Sequence, residues 1–158
     1  MNKYELYKLK VAGLSNEQVF RIVSYWEMNG DWPDLEQIAQ LAGCRNQALF
    51  IESYIRIDDQ ILREEFKEFD SISIMDEEYP EELLWMHNPP VLLFYEGNID
   101  LLKHPKIAVV GSRRCSRIGI HSVEKIINEL NNELVVVSGL AKGIDAASHY
   151  AAIRNGGK

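Results

Sequence analysis

The sequence predicts an α+β protein: a small all-helical module, a connector, and the first half of a doubly wound α/β sheet. Three observations carry that reading. Apolar residues recur at helical spacing through the first sixty positions. Two apolar runs, "KIAVV" and "LVVV", read as parallel strands covered on both faces. The order in the last third is strand, helix, strand, helix, the opening of a doubly wound sheet. The boundaries that follow are 1–62 for the helical module, 63–105 for the connector and 106–158 for the α/β part.

In "LSNEQVFRIVSYWEMNG", Ser15 is a helix cap and Gln18, three residues on, completes a capping box. Val19, Ile22, Val23 and Trp26 then repeat at helical spacing, and Gly30 is the stop. "PDLEQIAQLAGC" repeats the pattern, with Asp34 as cap, Gln37 at the box position and Ile38, Leu41 and Ala42 facing inward. Gly43 breaks it, and "NQALFIESYIRIDDQILREEFKEF" supplies more helix. In the connector, strand candidates near 71–75 and 91–95 are punctuated by Tyr79-Pro80 and Asn88-Pro89-Pro90. From Lys106, "KIAVVG" is a strand and "SRIGIHSVEKIINELNNE" an amphipathic helix. Ser116 caps that helix, and Val123, Ile126, Ile127 and Leu130 point inward. "LVVVSG" is the second strand, and "GIDAASHYAAIRNGG" a small-residue helix ending at Gly156-Gly157.

Charge is unevenly placed. The 158 residues carry a net −7, which argues against non-specific nucleic-acid binding by the whole surface. Residues 1–62 carry −3, residues 63–105 carry −8 and residues 106–158 carry +4. The positive charge gathers in the α/β part. No run of 18 apolar residues is present, so no membrane span is expected. The lysine-bearing N-terminus lacks the apolar stretch of a signal peptide, and the expected location is the cytoplasm. Cys44 and Cys115 lie far apart without a CxxC spacing, and the four histidines are scattered. Neither a disulfide framework nor a metal site is expected.

Both strands end in small residues, Gly111-Ser112 and Ser138-Gly139. In a parallel sheet those carboxyl ends lie side by side, where ligands bind. Glycine lets backbone approach a ligand, serine adds a hydroxyl, and helix N-termini present amides and positive partial charge. Arg113, Arg114 and Arg117 supply forked donors for phosphate oxygens, and Lys142 in "SGLAKGID" supplies a point charge. The predicted anion site is therefore Gly111, Ser112, Arg113, Arg114, Arg117, Ser138, Gly139 and Lys142. The dinucleotide fingerprint is absent, since the glycine after Gly111 is Gly119, and no Walker A loop is present. Asp145 and His149 lie at i,i+4 and are read as a cap or helix-stabilising pair, with no nucleophile in view. A cationic loop pair of this kind suits a polyanion that is held, such as single-stranded nucleic acid.

At these residues the chain resembles a known family. "YPEELLWMHNPPVLLFYEGNIDLLKHPKIAVVGSRRCSRIG" followed by "VVVSGLAKGIDAASHYAA" is similar to the bacterial DNA-processing protein A family (DprA, also called Smf). The resemblance covers nearly the whole chain, and the helical module resembles that family's SAM-like domain. It implies an extended Rossmann-like domain that binds single-stranded DNA. It also implies a role in natural transformation, in which incoming strands are protected and the RecA recombinase is loaded onto them, without enzymatic turnover and without a cofactor. The family's pocket maps onto Gly111, Ser112 and Arg113, with Ser138, Gly139, Lys142 and Gly143 in the neighbouring loop. Family members continue past "AAIRNGGK" with segments that carry the RecA-contacting and dimerisation surfaces. The expectation is therefore a truncated form that binds DNA weakly and whose homodimer is in doubt.

Two other functions compete. A nucleotide phosphoribohydrolase of the lysine-decarboxylase-like group would also hold phosphate at such loops; its PGGxGTxxE-type motif is not seen, though it would lie beyond Lys158. A helix-turn-helix regulator is suggested by "LEQIAQLAGC" and the helix after it. That helix, "NQALFIESYIR", has few groups able to read bases.

Overall fold

The computed structural model describes residues 2–130 and 133–157. Residues 131 and 132, at the end of the helical stretch predicted after Ser116, lie outside the described residues. Contacts divide the chain into two compact units, Met1–Gly97 and Asn98–Lys158.

The first unit opens with five helices: α1 (Lys3–Val11), α2 (Asn16–Asn29), α3 (Leu35–Leu41), α4 (Gln47–Ile55) and α5 (Asp59–Lys67). Local chemistry fixes their ends. Ser15 and Asp34 each complete a capping box with the glutamine three residues on, as the sequence predicts. Gln18 does double duty: its Oε1 accepts from the Ser15 amide at 3.0 Å and its Nε2 donates to the Ala42 carbonyl at 2.9 Å. That side chain ties the start of α2 to the end of α3. The long helical stretch after Gly43 is two helices, because Asp58 turns its carboxylate onto the amides of Gln60 and Ile61 and starts a new one.

The core of this unit is Leu6, Leu9, Val19, Ile22, Val23, Ile38, Ala39 and Phe50, with Val91 arriving from the connector. Fully burying each large aliphatic side chain contributes about 1.5–3 kcal/mol. The connector strands β1 (Asp70–Ser73) and β2 (Leu92–Tyr95) pair antiparallel, with Ser71 opposite Phe94, and flank the short helix α6 (Glu81–Leu84). Lys3 bridges α1 to this ribbon, donating to the Ser71 carbonyl at 2.8 Å and pairing with Asp76 at 3.0 Å.

The second unit holds a 3-10 turn (Ile99–Lys103), β3 (Lys106–Ala108), α7 (Arg117–Glu129), β4 (Val135–Val137) and α8 (Ile144–Arg154). Strands β3 and β4 are parallel, with Ile107 opposite Val136. Ile107, Val109 and Val136 share one face and pack with Ile127, Ala151 and Ala152 of the two helices. The other face behaves differently from the fully covered strands that the sequence predicts. Ala108 and Val137 point to that face and are exposed, since both helices pack on the opposite one, whereas Val135 on the same face is buried. On α7 the buried stripe is Val123, Ile127 and Leu130. Ile126, expected to face inward, is half exposed because it lies about 100° around the helix from Ile127.

Among the described residues no helix is long and apolar enough to cross a membrane.

Candidate nucleic-acid interface

The two strand-end loops are locked together by glycine contacts. A Cβ on Gly143 would stand 2.2 Å from the Ser112 carbonyl oxygen and 2.9 Å from Arg113 Cα. Gly143 also has φ +87°, which side-chain-bearing residues rarely adopt. A Cβ on Gly111 would stand 2.7 Å from Ile144 Cβ. These two glycines therefore admit the neighbouring loop. That differs from the expected role, in which glycine opens space for a ligand. Ile144 becomes the hub: it meets Gly111, and its Cδ1 lies 3.5 Å from the position a Gly119 Cβ would take.

Asp145 completes the lock. It is buried, and its Oδ1 accepts from the Gly111 amide at 3.3 Å. Its Oδ2 lies 3.0 Å from the Cβ position of Gly139. One carboxylate therefore abuts the ends of both strands, and it does so in the first turn of α8, where negative charge is favoured. The expected Asp145–His149 pair is replaced by this cross-loop bond.

The serines are also committed. Ser138 Oγ donates to the Val109 carbonyl at 2.6 Å, stapling the end of β4 to that of β3. Ser112 Oγ accepts from the Arg114 amide at 3.1 Å and shapes the turn. The helix N-termini offer less than expected as well. The Ile144 amide donates to the Ser112 carbonyl at 3.3 Å and the Ala146 amide to the Ala141 carbonyl at 3.0 Å. Ser116 caps α7 through the Gly119 amide, as the sequence predicts.

What faces solvent is side-chain charge. Arg113, Arg114, Arg117 and Lys142 are all exposed, and none forms an ion pair with another described residue. Gly111, Ser112 and Gly139 are exposed beside them. Between Gly139 and Lys142, Leu140 holds a left-handed φ of +54° and is 81% exposed. A non-glycine residue in that region is uncommon, and here it lifts an apolar side chain beside the cations. The structure thus joins the two loops through Gly111, Ser112, Arg113 and Gly143, with Gly139 against Asp145 and Arg117 opening α7. Sequence reasoning missed Ile144 and the cross-loop role of Asp145. The available signal was the tripeptide "GID" directly after a glycine-rich loop.

The helical module presents a different chemistry. Arg56, one of its few cations, pairs with Glu52 across a turn of α4. Leu49 and Ile55 of the same helix are exposed. No group of three or more potential metal ligands occurs among the described residues.

Comparison with known proteins gives a consistent picture. Residues 70–158 match the profile described as DNA recombination-mediator protein A, and residues 1–62 match the DNA processing protein A sterile alpha motif domain. The chain is 55% identical over all 158 residues to DNA processing protein DprA of Streptococcus pneumoniae R6, covering 56% of that protein. It is 38% identical over 94 residues to DNA processing protein DprA of Bacillus subtilis 168, covering 56% of this chain and 30% of that one. The X-ray structure of the Streptococcus pneumoniae protein superposes on the whole chain with a TM-score of 0.97, again over 56% of its own length. The chain therefore spans little more than half of the relative it matches along its full length.

Proposed function

Because the chain belongs to the DNA recombination-mediator protein A family, we propose that it holds single-stranded DNA on the two strand-end loops of its α/β unit. The observation that carries this reading is the set of exposed cations Arg113, Arg114, Arg117 and Lys142 on loops fastened to each other by Gly143, Ile144 and Asp145. A phosphate backbone needs unpaired positive charge on a rigid support, with no demand for base identity. Leu140 adds an apolar contact for a base or sugar beside that track.

The role is retention of DNA without turnover. Asp145, the carboxylate closest to the loops, is buried and engaged with the Gly111 amide, which suits a structural tie more than proton transfer. The family's wider biology gives the setting: cytoplasmic protection of incoming strands during natural transformation and delivery to RecA.

Fluorescence anisotropy with labelled oligothymidylate tests it. Arg113→Ala is expected to weaken binding at all sequences alike and to reduce the magnitude of the log–log salt slope by about 0.7. Arg56→Ala, in the helical module, leaves both nearly unchanged. Equal losses at the two positions would reject a localised site.

A further inference from the structure

The connector carries an epitope that the DNA reading does not use. Leu84, Trp85 and Met86 follow one another at the end of α6, and all three are exposed, Trp85 to 88%. Glu77, Glu78 and Glu81 precede them, exposed and unpaired among the described residues. Asp76 does not belong to this group, because Lys3 and Ser73 hold it. A solvent-facing indole between two apolar side chains is the kind of residue that anchors an interface. The carboxylates around it exclude nucleic acid and select a basic surface.

This molecule carries such a surface. Its strand-end loops and the start of α7 combine four cations, unpaired among the described residues, with exposed Val110, Ile118 and Leu140. Resting on the reading of those loops as a single-strand site, we infer that the Leu84–Trp85–Met86 epitope of one molecule docks onto the cationic loops of a second copy of this chain. The chemistry of the match is that of a single strand. Carboxylates take the place of phosphates, and the indole takes the place of a base. Occupation by a neighbour and occupation by DNA are then mutually exclusive, so the contact limits access to the loops when DNA is scarce. Each copy offers both an epitope and a receiving surface.

Sedimentation velocity from micromolar to millimolar concentration, at low and high salt, tests the inference. The expected result is a weight-average mass above that of the monomer that grows with concentration at low salt and falls back at high salt. Trp85→Ala should weaken association roughly tenfold or more, and Glu77→Gln/Glu78→Gln/Glu81→Gln should remove its salt dependence. Both changes lie on exposed side chains and leave the fold intact, which circular dichroism checks. Added oligothymidylate should return the mass to that of the monomer. A monomer at every concentration in low salt, or association unchanged by Trp85→Ala, overturns the inference. The oligothymidylate arm separates the two readings. If the strand binds dilute monomer yet leaves the association intact, docking on the loops is wrong and the DNA reading stands. If association depends on both Trp85 and Arg113 but the strand binds at no concentration, the DNA reading fails and self-docking stands.

Discussion

Asp145 Oδ1 accepts the amide hydrogen of Gly111 at 3.3 Å, joining the first turn of α8 to the end of β3 across 34 residues of sequence. The bond is long and part-buried: the Asp145 side is buried while Gly111 is exposed, so water reaches the amide once the carboxylate is gone. Asp145→Ala should therefore lower stability by about 0.5–1.5 kcal/mol. Asp145→Asn keeps a carbonyl acceptor and should cost less. Both should weaken oligothymidylate binding by loosening the loops, without creating or removing any hydrolysis. Thermal melts together with anisotropy check this. A large affinity loss with an unchanged melt would instead make Asp145 a direct ligand contact.

The loop contact at Gly143 is the least forgiving position in the unit. An alanine there must displace the Ser112 carbonyl and adopt φ +87°. Gly143→Ala is expected to cost at least about 2 kcal/mol, with loss of DNA binding. Gly30→Ala is the control: its Cβ meets nothing within 4 Å, and only the left-handed φ of +79° is strained. A cost of about 1 kcal/mol is expected there. Chemical denaturation of both variants measures the difference, and equal costs would contradict the close loop packing.

These two positions also show where sequence reading stops. Ser15–Gln18 and Asp34–Gln37 were legible because a capping box is local: cap and partner lie three residues apart. The parallel pairing of β3 and β4 was legible from apolar runs and the helix between them. The cations of the candidate site were legible because side-chain charge needs no partner to be noticed. The direction in which a glycine's missing side chain would point is not local. Gly111 and Gly143 read as room for a ligand, whereas Ile144 and Ser112 fill that room. Asp145 was misjudged for the same reason. Its helical neighbour His149 is visible in sequence, while its bond to Gly111 depends on tertiary structure. The exposure of Val137 and Ile126 likewise depends on which sheet face the helices cover.

The first unit should respond to acid. Hydrogen bonds from Lys8 and then Tyr4 hold the Asp59 carboxyl below its usual range. At Asp76 burial pushes upward, but bonds from Ser73 and Lys3 prevail and the net shift is downward. A carboxylate with a depressed folded-state pKa stabilises the fold above its unfolded value and loses that contribution as pH falls through the folded one. Melting temperature should therefore fall below about pH 4. Asp59→Asn and Asp76→Asn should flatten that fall. A wild-type acid profile that matches both variants would contradict these pairings.

Alkali should act through Tyr4. Burial, then the bond to Asp59, raises its hydroxyl to about 12. The sign is opposite to that of the aspartates. The stabilisation is complete below the ordinary tyrosine value of about 10 and disappears as pH rises through the folded value. Tyr4→Phe should be less stable than wild type at neutral pH and converge with it in strong alkali. Parallel profiles would show that the Tyr4–Asp59 bond contributes nothing.

The most direct test of the cationic loops as a single-strand site is a salt-dependent titration of the whole chain with labelled oligothymidylate and with a duplex of equal length. Four contacting cations predict a log–log slope of about −3 for the single strand. The single strand should also bind more tightly than the duplex at every salt concentration. A flat salt response, or a preference for duplex, would contradict the account.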